Sequence, residues 1–189
     1  MGSFYTNITL RTTQRGAVRD HLAAAQRKAY ISPVVGGALV VFDQASEEQD
    51  LEELGRIASH LSQRCSCPAL ALMIHDDDIL LYRLYEKGAL VDQYTSAPEY
   101  FEGGDAHPAG GDAARLGTAF GRPEVKDALE EILRRSKDAP EAYTFETDRH
   151  TDLVRVLGLP SAAVGTGYNY IEANELPPEL AADDLIRVG

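Results

Sequence analysis

The chain has 189 residues, of which 44% are hydrophobic and 25% charged, so it is long enough and apolar enough for one globular domain. Its net charge of −12 makes nucleic-acid binding by the whole surface unfavourable, because phosphate neutralisation needs a basic face. It lacks both the roughly 18 to 20 continuous apolar residues of a membrane span and a signal-peptide pattern, so we expect a cytoplasmic protein without membrane association.

The N-terminal segment has the alternation of a half-buried strand over residues 4–12. An amphipathic helix follows. The residues of its apolar stripe are Val18, Leu22, Ala25 and Ala29. Two short β-rich runs, residues 30–35 and 38–42, flank a Gly-Gly pair. Glycine accepts the positive φ that two-residue hairpin turns need, so we predict a hairpin here.

A second helix is predicted from Ser46, because Ser46 and Gln49 have the spacing of a capping box. The residues of its apolar stripe are Leu51, Leu54, Ala58 and Leu61. Only acidic charge lies in its first turns, where the helix dipole favours it. The members of this acidic run are Glu47, Glu48, Asp50, Glu52 and Glu53. The run is either an ordinary solvated helix start or a surface that binds a partner.

Three further strands are predicted over residues 69–74, 79–85 and 89–94, with a tight turn at Lys87-Gly88 between the last two. The first six elements then follow the order β-α-β-β-α-β, which is that of a ferredoxin-like split βαβ sandwich. The added strands would extend its antiparallel sheet as a meander. We therefore predict an α+β fold, with residues 1–97 as its sheet domain.

The composition changes after the sheet domain. Residues 98–122 are rich in glycine and proline, which predicts a long loop that is either a lid over a site or a linker. Residues 123–189 are predicted to form a small helical C-terminal appendage that packs on the same domain. One helix begins near Pro123, and another runs from near Thr147 to Gly158, where Gly-Leu-Pro is typical of a helix end.

The densest group of potential metal ligands is the HDDD sequence at residues 75–78. It lacks the alternate spacing, the glycine and the final glutamate of a calcium loop. His75 and Asp77 can face the same side of a strand, which makes a two-ligand metal site the alternative. Because aspartate is a favoured turn residue, we predict a polar turn between two strands, without a bound metal.

A second stretch with acids and a histidine, ETDRHTD, covers residues 146–152. On a strand its alternate charged residues would share one face, whereas on a helix only its two aspartates align. We predict the start of a helix, with Thr147 or Asp148 as N-cap. Asp148 and His150 are also candidates for acid–base catalysis, together with His107 in the Gly-rich loop.

Two glycines near the C-terminus, Gly165 and Gly167, could let the backbone approach a ligand. The next three residues, Tyr168, Asn169 and Tyr170, would then form a ligand wall. The third glycine of a dinucleotide fingerprint and its strand-to-helix context are missing, so we expect no nucleotide cofactor. The alternative is a tight turn that packs its tyrosines on the core.

The only two cysteines, Cys65 and Cys67, form a C-x-C pair. Two cysteines are too few for a disulfide framework in a chain of this length, and a zinc site needs a second ligand pair. The pair is therefore either a soft-metal or redox pair or two ordinary thiols where a helix meets a strand.

The sequence contains no hydrolase, metalloprotease or cysteine–histidine catalytic signature. Our leading hypothesis is therefore a non-enzymatic cytoplasmic protein that binds a protein partner, as a regulator or an immunity-type inhibitor. The acidic excess suits a basic partner, and a homodimer is compatible with the sequence. The alternative is a small enzyme whose site lies between the sheet and the Gly-rich loop.

Overall fold

The structure is a computed structural model that describes residues 2–98, 100 and 107–189. Within these residues, eight strands form one antiparallel sheet. The strands are β1 (Tyr5–Leu10), β2 (Ala29–Ile31), β3 (Leu39–Asp43), β4 (Ala69–His75), β5 (Ile79–Glu86), β6 (Ala89–Thr95), β7 (Ala109–Gly110) and β8 (Ile186–Val188).

The sheet is built around β1, which lies between β3 and β4 and is antiparallel to both. Ile8, in the middle of β1, pairs with Val41 on one side and Ala71 on the other. The full strand order is β7-β6-β5-β4-β1-β3-β2-β8. The predicted α+β class and the extended antiparallel sheet are therefore confirmed. The edge strands β7 and β8 were not predicted, because runs of two and three residues are too short to show an alternating pattern.

Helices cover both faces of this sheet. Within the described residues the α-helices are α1 (Arg15–Ala24), α2 (Leu51–Arg64), α3 (Ala113–Ala119), α4 (Lys126–Arg134), α5 (Glu146–Leu157) and α6 (Tyr168–Glu172). One core contains Leu22 of α1 and Leu61 of α2. The other core, on the opposite face, contains Leu116 of α3, Leu133 of α4 and Leu153 of α5. The molecule thus has three layers, with the C-terminal helices forming the third.

This arrangement explains the nearly continuous apolar sequence of β4. Leu70, Leu72 and Ile74 belong to the core under α3 to α5, whereas Ala71 and Met73 belong to the core under α1 and α2. Successive side chains of a strand point to opposite faces, so a strand covered on both sides must be apolar at every position.

Both predicted tight turns are present. Gly36 and Gly37 have φ values of +61° and +80°, and Val35 and Ala38 bridge across them. Lys87 and Gly88 likewise have positive φ, at +52° and +84°, between β5 and β6. Two successive residues with positive φ match the right-handed twist of the flanking strands, which is why these hairpins close in two residues.

Some predicted boundaries are wrong. The helix α1 ends at Ala24, so Ala29, which was predicted to lie in its apolar stripe, instead begins β2. The helix α2 begins at Leu51 and not at Ser46, because the Asp50 carboxylate accepts hydrogen bonds from the backbone N–H groups of Glu52 and Glu53. The predicted continuous loop over residues 98–122 contains α3, whose N-cap is Asp112. Alanine-rich sequence forms a helix readily once a cap is present, and the surrounding glycines obscured that signal.

Candidate functional site

Five segments meet at the end of the sheet where β1 and β2 finish and β3 and β4 begin. They enclose a cleft of about 700 Å³, named here the five-loop cleft. The segments are the β1–α1 loop, the β2–β3 hairpin, the α2–β4 connection, the residues after α3 and the end of α5. The polar residues that line it include Arg11, Thr13, Cys65, Ser66, Cys67 and Arg122.

The strand register brings these segments together. Leu10, the last residue of β1, pairs with Leu39 at the start of β3 and with Ala69 at the start of β4. Arg11 therefore leaves the sheet beside the hairpin and beside the end of the α2–β4 connection. Its backbone N–H donates to the Pro68 carbonyl at 3.1 Å, which holds the β1–α1 loop against that connection.

Close approaches at two glycines shape the cleft. A Cβ on Gly121, whose φ is +74°, would lie 2.3 Å from Nη2 of Arg11. A Cβ on Gly36 would lie 2.7 Å from the Gly158 carbonyl oxygen. A larger residue at either position would force its neighbour to move. The Arg11 guanidinium also donates to the Ala119 carbonyl at 3.1 Å, so its position is fixed by the last residue of α3.

The charge of the cleft is opposite to that of the whole protein. Its described lining contains two guanidinium groups, Arg11 and Arg122, and no carboxylate. Arg122 donates to Glu124 at 2.5 Å just outside the lining, where both side chains are partly exposed. Hydroxyl groups of Thr12, Thr13 and Ser66 supply further donors. The arrangement can accept an anion, because a guanidinium matches carboxylate and phosphate geometry.

The HDDD sequence ends β4 with His75 and forms the turn to β5 with its three aspartates, as predicted. Each of its side chains contacts a different partner. His75 is hydrogen-bonded to Gln49. Asp76 accepts from the backbone N–H of Gly2. The Asp78 carboxylate accepts from the Tyr100 hydroxyl at 3.1 Å. The carboxylates are thus used one at a time, as expected of neighbouring turn residues whose side chains diverge.

Asp77 has a particular role in this turn, since it caps α5 from a distant part of the chain. Its Oδ1 accepts from the backbone N–H of Thr147 at 2.9 Å and from the Thr147 hydroxyl at 2.6 Å. Its carbonyl accepts from the Glu146 N–H at 2.9 Å. The predicted N-cap at Thr147 or Asp148 is therefore wrong. The helix begins at Glu146, and Asp77, which is 70 residues from Thr147, satisfies two of its free N–H groups, one with its side chain and one with its carbonyl.

His150 is buried beneath β1. Its Nδ1 lies 2.8 Å from the Tyr5 hydroxyl, and the two rings are stacked with centroids 5.8 Å apart. Burial lowers the pKa of His150 to about 3, because removal from water disfavours the charged form of the ring. His150 is thus a neutral core residue near pH 7, which is unsuited to proton exchange with a substrate from solvent.

The other catalytic candidates lie apart from His150. Asp148 is exposed on α5, and His107 lies two residues before the edge strand β7. The five-loop cleft contains none of the three. The same helix instead buries an ion pair, in which Arg149 Nε donates to Glu146 Oε2 at 2.7 Å and both side chains are at most 2% exposed.

The predicted ligand wall packs against the sheet. Tyr168 is buried in the core with α3 to α5, and the carbonyl of Thr166 accepts from the Asn7 side chain at 3.1 Å. Gly167, beside the first tyrosine of this wall, lies against Glu47 of the acidic run. The approach is so close that a Cβ added to Gly167 would lie 2.5 Å from Oε1 of Glu47. Asn169 and Tyr170 follow in α6, and Gly165 has a φ of +67° in the preceding turn.

Most of the acidic run is engaged inside the molecule. Glu47 accepts from the backbone and hydroxyl of Thr6, and burial raises its pKa against the effect of these hydrogen bonds. Asp50 caps α2. Glu52 pairs with Arg83 at 2.6 Å. The remaining two members differ sharply, since Glu48 is exposed and Glu53 is surrounded by guanidinium groups.

Glu53 illustrates how the fold neutralises this run. It pairs with Arg56 at 2.8 Å and with Arg27 at 2.7 Å, and Arg27 also binds the buried Asp43. The hydrogen bond from Arg56, followed by that from Arg27, lowers the pKa of Glu53 to about 2. The acidic run is consequently not the uninterrupted field of charge that the sequence suggests.

Two absences hold for the described part of the chain. No three histidine, cysteine or acidic side chains within it come together as metal ligands. None of its helices combines the length and the apolar character that crossing a membrane requires.

Comparisons with protein-family models, with curated proteins and with solved structures found no match.

The arginines of the cleft were missed at the sequence level. Arg11 appears in a basic N-terminal stretch and Arg122 at the end of the Gly-rich segment, with no local pattern in common. Only the strand order predicts that these residues lie near one another. Once β1, β3 and β4 are paired as neighbours, Arg11, the Gly36-Gly37 turn and the C-x-C pair must lie at one end of the sheet.

Proposed function

We propose that this protein binds a small anionic ligand, carrying a phosphate or carboxylate group, in the five-loop cleft. The observation that supports the proposal is the charge of the cleft, which offers Arg11 and Arg122 without a carboxylate in its described lining. In a chain of net charge −12, two arginines in one concave site mark a place where an anion is favoured over the rest of the surface.

The cleft also has a suitable size. Ligand sites usually enclose about 300 to 1,000 Å³, and the five-loop cleft encloses about 700 Å³. Phe120 and Leu157 supply apolar wall, while the arginines and hydroxyl groups supply donors. More polar than apolar surface faces this open cleft, so its arginines and hydroxyl groups are the main contacts that it offers a ligand.

We propose binding and not catalysis for this cleft. Its described lining contains no histidine, aspartate or glutamate that could transfer a proton. The proposal keeps the non-enzymatic class inferred from the sequence but changes the ligand from a protein to a small anion.

The test is isothermal titration calorimetry with inorganic pyrophosphate and with citrate. The wild-type protein should bind one of these probes, and Arg11→Gln and Arg122→Gln should each weaken binding at least tenfold. A charge-assisted hydrogen bond contributes about 1.5 to 3 kcal/mol, which corresponds to roughly that factor. The matched control is Arg19→Gln, which removes an exposed arginine paired with Asp20 outside the cleft.

The proposal fails if neither probe binds at millimolar concentration. It also fails if Arg19→Gln weakens binding as much as the two cleft substitutions, because binding would then reflect overall charge.

Partner binding by the acidic run is a second proposal. Glu48 and Glu52 support it, because both are exposed and belong to the start of α2. A basic partner recovered on the immobilised protein should associate several-fold more slowly with the double variant Glu48→Gln and Glu52→Gln at low salt. A partner whose association responds neither to the variant nor to salt would rule out this surface.

Two finer assignments are also proposals. The order β4-β1-β3-β2, with every neighbouring pair antiparallel, supports a ferredoxin-like split βαβ unit within the larger sheet. Free thiols at Cys65 and Cys67 support a reducing compartment such as the cytoplasm.

A further inference from the structure

The two cysteines of the chain lie together on the wall of the five-loop cleft. Cys65 ends α2 as its C-cap and is half-buried, whereas Cys67 is buried just before β4. Both residues line the five-loop cleft, and only Ser66 separates them in the chain.

The backbone between them is compact. Ser66 has a φ of +50°, in the left-handed region, and the Cys67 N–H donates back to the Ser62 carbonyl at 3.2 Å. This is the hydrogen bond of a Schellman motif that closes a helix end. Cα atoms two residues apart are separated by about 6.8 Å in an extended strand, and a turn shortens this into the range of about 4.4 to 6.8 Å that a disulfide needs.

We infer that Cys65 and Cys67 form a redox-active dithiol, which a peroxide oxidises reversibly to a disulfide on the wall of the five-loop cleft. This inference goes beyond the proposed anion binding and does not depend on it. It assigns a modification site to residues that otherwise only end a helix.

The reaction balances with hydrogen peroxide as the two-electron oxidant. The Cys65 thiolate attacks one peroxide oxygen, the O–O bond breaks, and the leaving hydroxide takes the thiol proton to give water and a sulfenic acid. The Cys67 sulfur then attacks the Cys65 sulfur, an S–S bond forms, and the S–OH oxygen leaves as a second water with the Cys67 proton. Two thiols are oxidised and one peroxide is reduced.

The environment gives the two cysteines different roles. Cys65 is the less buried of the two residues, so its sulfur is the one that peroxide reaches from the cleft. Interaction with Cys65, together with burial, raises the pKa of Cys67 and keeps that thiol protonated. Cys65 is therefore the group that meets peroxide, and Cys67 is positioned to resolve the sulfenic acid.

The test is intact-protein mass spectrometry after treatment with one equivalent of hydrogen peroxide, without added anions. The expected product is a monomer that has lost two hydrogen atoms and regains them with dithiothreitol. With excess peroxide, Cys67→Ser should instead retain oxygen on Cys65 or form dimers. Limited alkylation of the untreated protein should modify Cys65 at least tenfold faster than Cys67.

Two outcomes would overturn the inference. One is a monomer that keeps both thiols after peroxide treatment, and the other is a wild-type product that gains oxygen or dimerises without an internal disulfide. Arg11→Gln separates this inference from the anion proposal, because it should weaken anion binding while the disulfide still forms. If Cys67→Ser does not fold, the wild-type product alone decides, since its mass distinguishes these outcomes.

Discussion

The buried pair of Tyr5 and His150 should make the protein sensitive to mild acid. In the folded state the pKa of His150 is about 3, against an ordinary value near 6.5. Below pH 6.5 the unfolded chain binds a proton at this position that the folded protein does not. Stability rises with pH wherever the unfolded state binds more protons, so it must fall as the pH decreases from 6.5 towards 3.

The size of the effect follows from the two pKa values. Each pKa unit corresponds to about 1.4 kcal/mol, so lowering the pH from 7 to 4.5 should remove between about 2 and 3 kcal/mol of unfolding free energy through His150 alone. The loss should level off near pH 3, where the folded protein also begins to bind the proton.

The assay is urea unfolding at pH 7 and pH 4.5, followed by circular dichroism. His150→Phe keeps an aromatic ring under β1 but cannot titrate, so its difference in unfolding free energy between the two pH values should be smaller by about 2 to 3 kcal/mol. At pH 7 the variant should be less stable by about 1 kcal/mol, because the Tyr5 hydroxyl loses a buried partner.

His21→Gln is the matched control. His21 lies in α1 and is outside both cores, so this substitution removes a histidine without altering the buried site of Tyr5 and His150. If wild type and His150→Phe lose the same unfolding free energy between pH 7 and pH 4.5, the argument from burial of a neutral histidine is wrong.

Three further substitutions test other parts of the structure. Asp77→Ala should cost about 1 to 2 kcal/mol of unfolding free energy, because it removes the cap of α5, whereas Asp77→Asn should recover most of this loss. Gly121→Ala should weaken pyrophosphate or citrate binding several-fold without changing the net charge, because its Cβ displaces Arg11; unchanged affinity would show that Arg11 is not a ligand. In urea unfolding, Arg149→Met should lower the unfolding free energy by about 3 to 5 kcal/mol, since it leaves the buried Glu146 unpaired. The double variant with Glu146→Gln should recover part of this lost unfolding free energy.

The strands could be predicted because their signals are local. The predicted ranges 69–74, 79–85 and 89–94 each end one residue before the strands β4, β5 and β6 do. Apolar runs bounded by aspartates or Lys-Gly are read directly from neighbouring residues. The cap of α5 could not be predicted in this way, because Asp77 and Thr147 come together only after β4, β5 and the C-terminal helices have packed.

The electrostatic potential of the acidic run likewise could not be predicted from neighbouring residues alone. Five acids within seven positions of the sequence suggest a strong negative field. The fold brings Arg27, Arg56 and Arg83 to Glu52 and Glu53, and two of these arginines lie more than 20 residues away in the chain. Formal charge along a sequence therefore overstates the potential that a partner would meet.

The two proposed surfaces lie at opposite ends of α2. Its first turns carry the acidic run, and its C-cap, Cys65, lines the five-loop cleft. A helix of 14 residues is about 21 Å long, which is about two and a half times the Debye length of roughly 8 Å at physiological ionic strength. Charges at one end therefore have little direct effect on an anion at the other. Glu48→Gln with Glu52→Gln should leave anion affinity unchanged, and a coupling between the two ends would have to pass through the packing of α2 on the sheet.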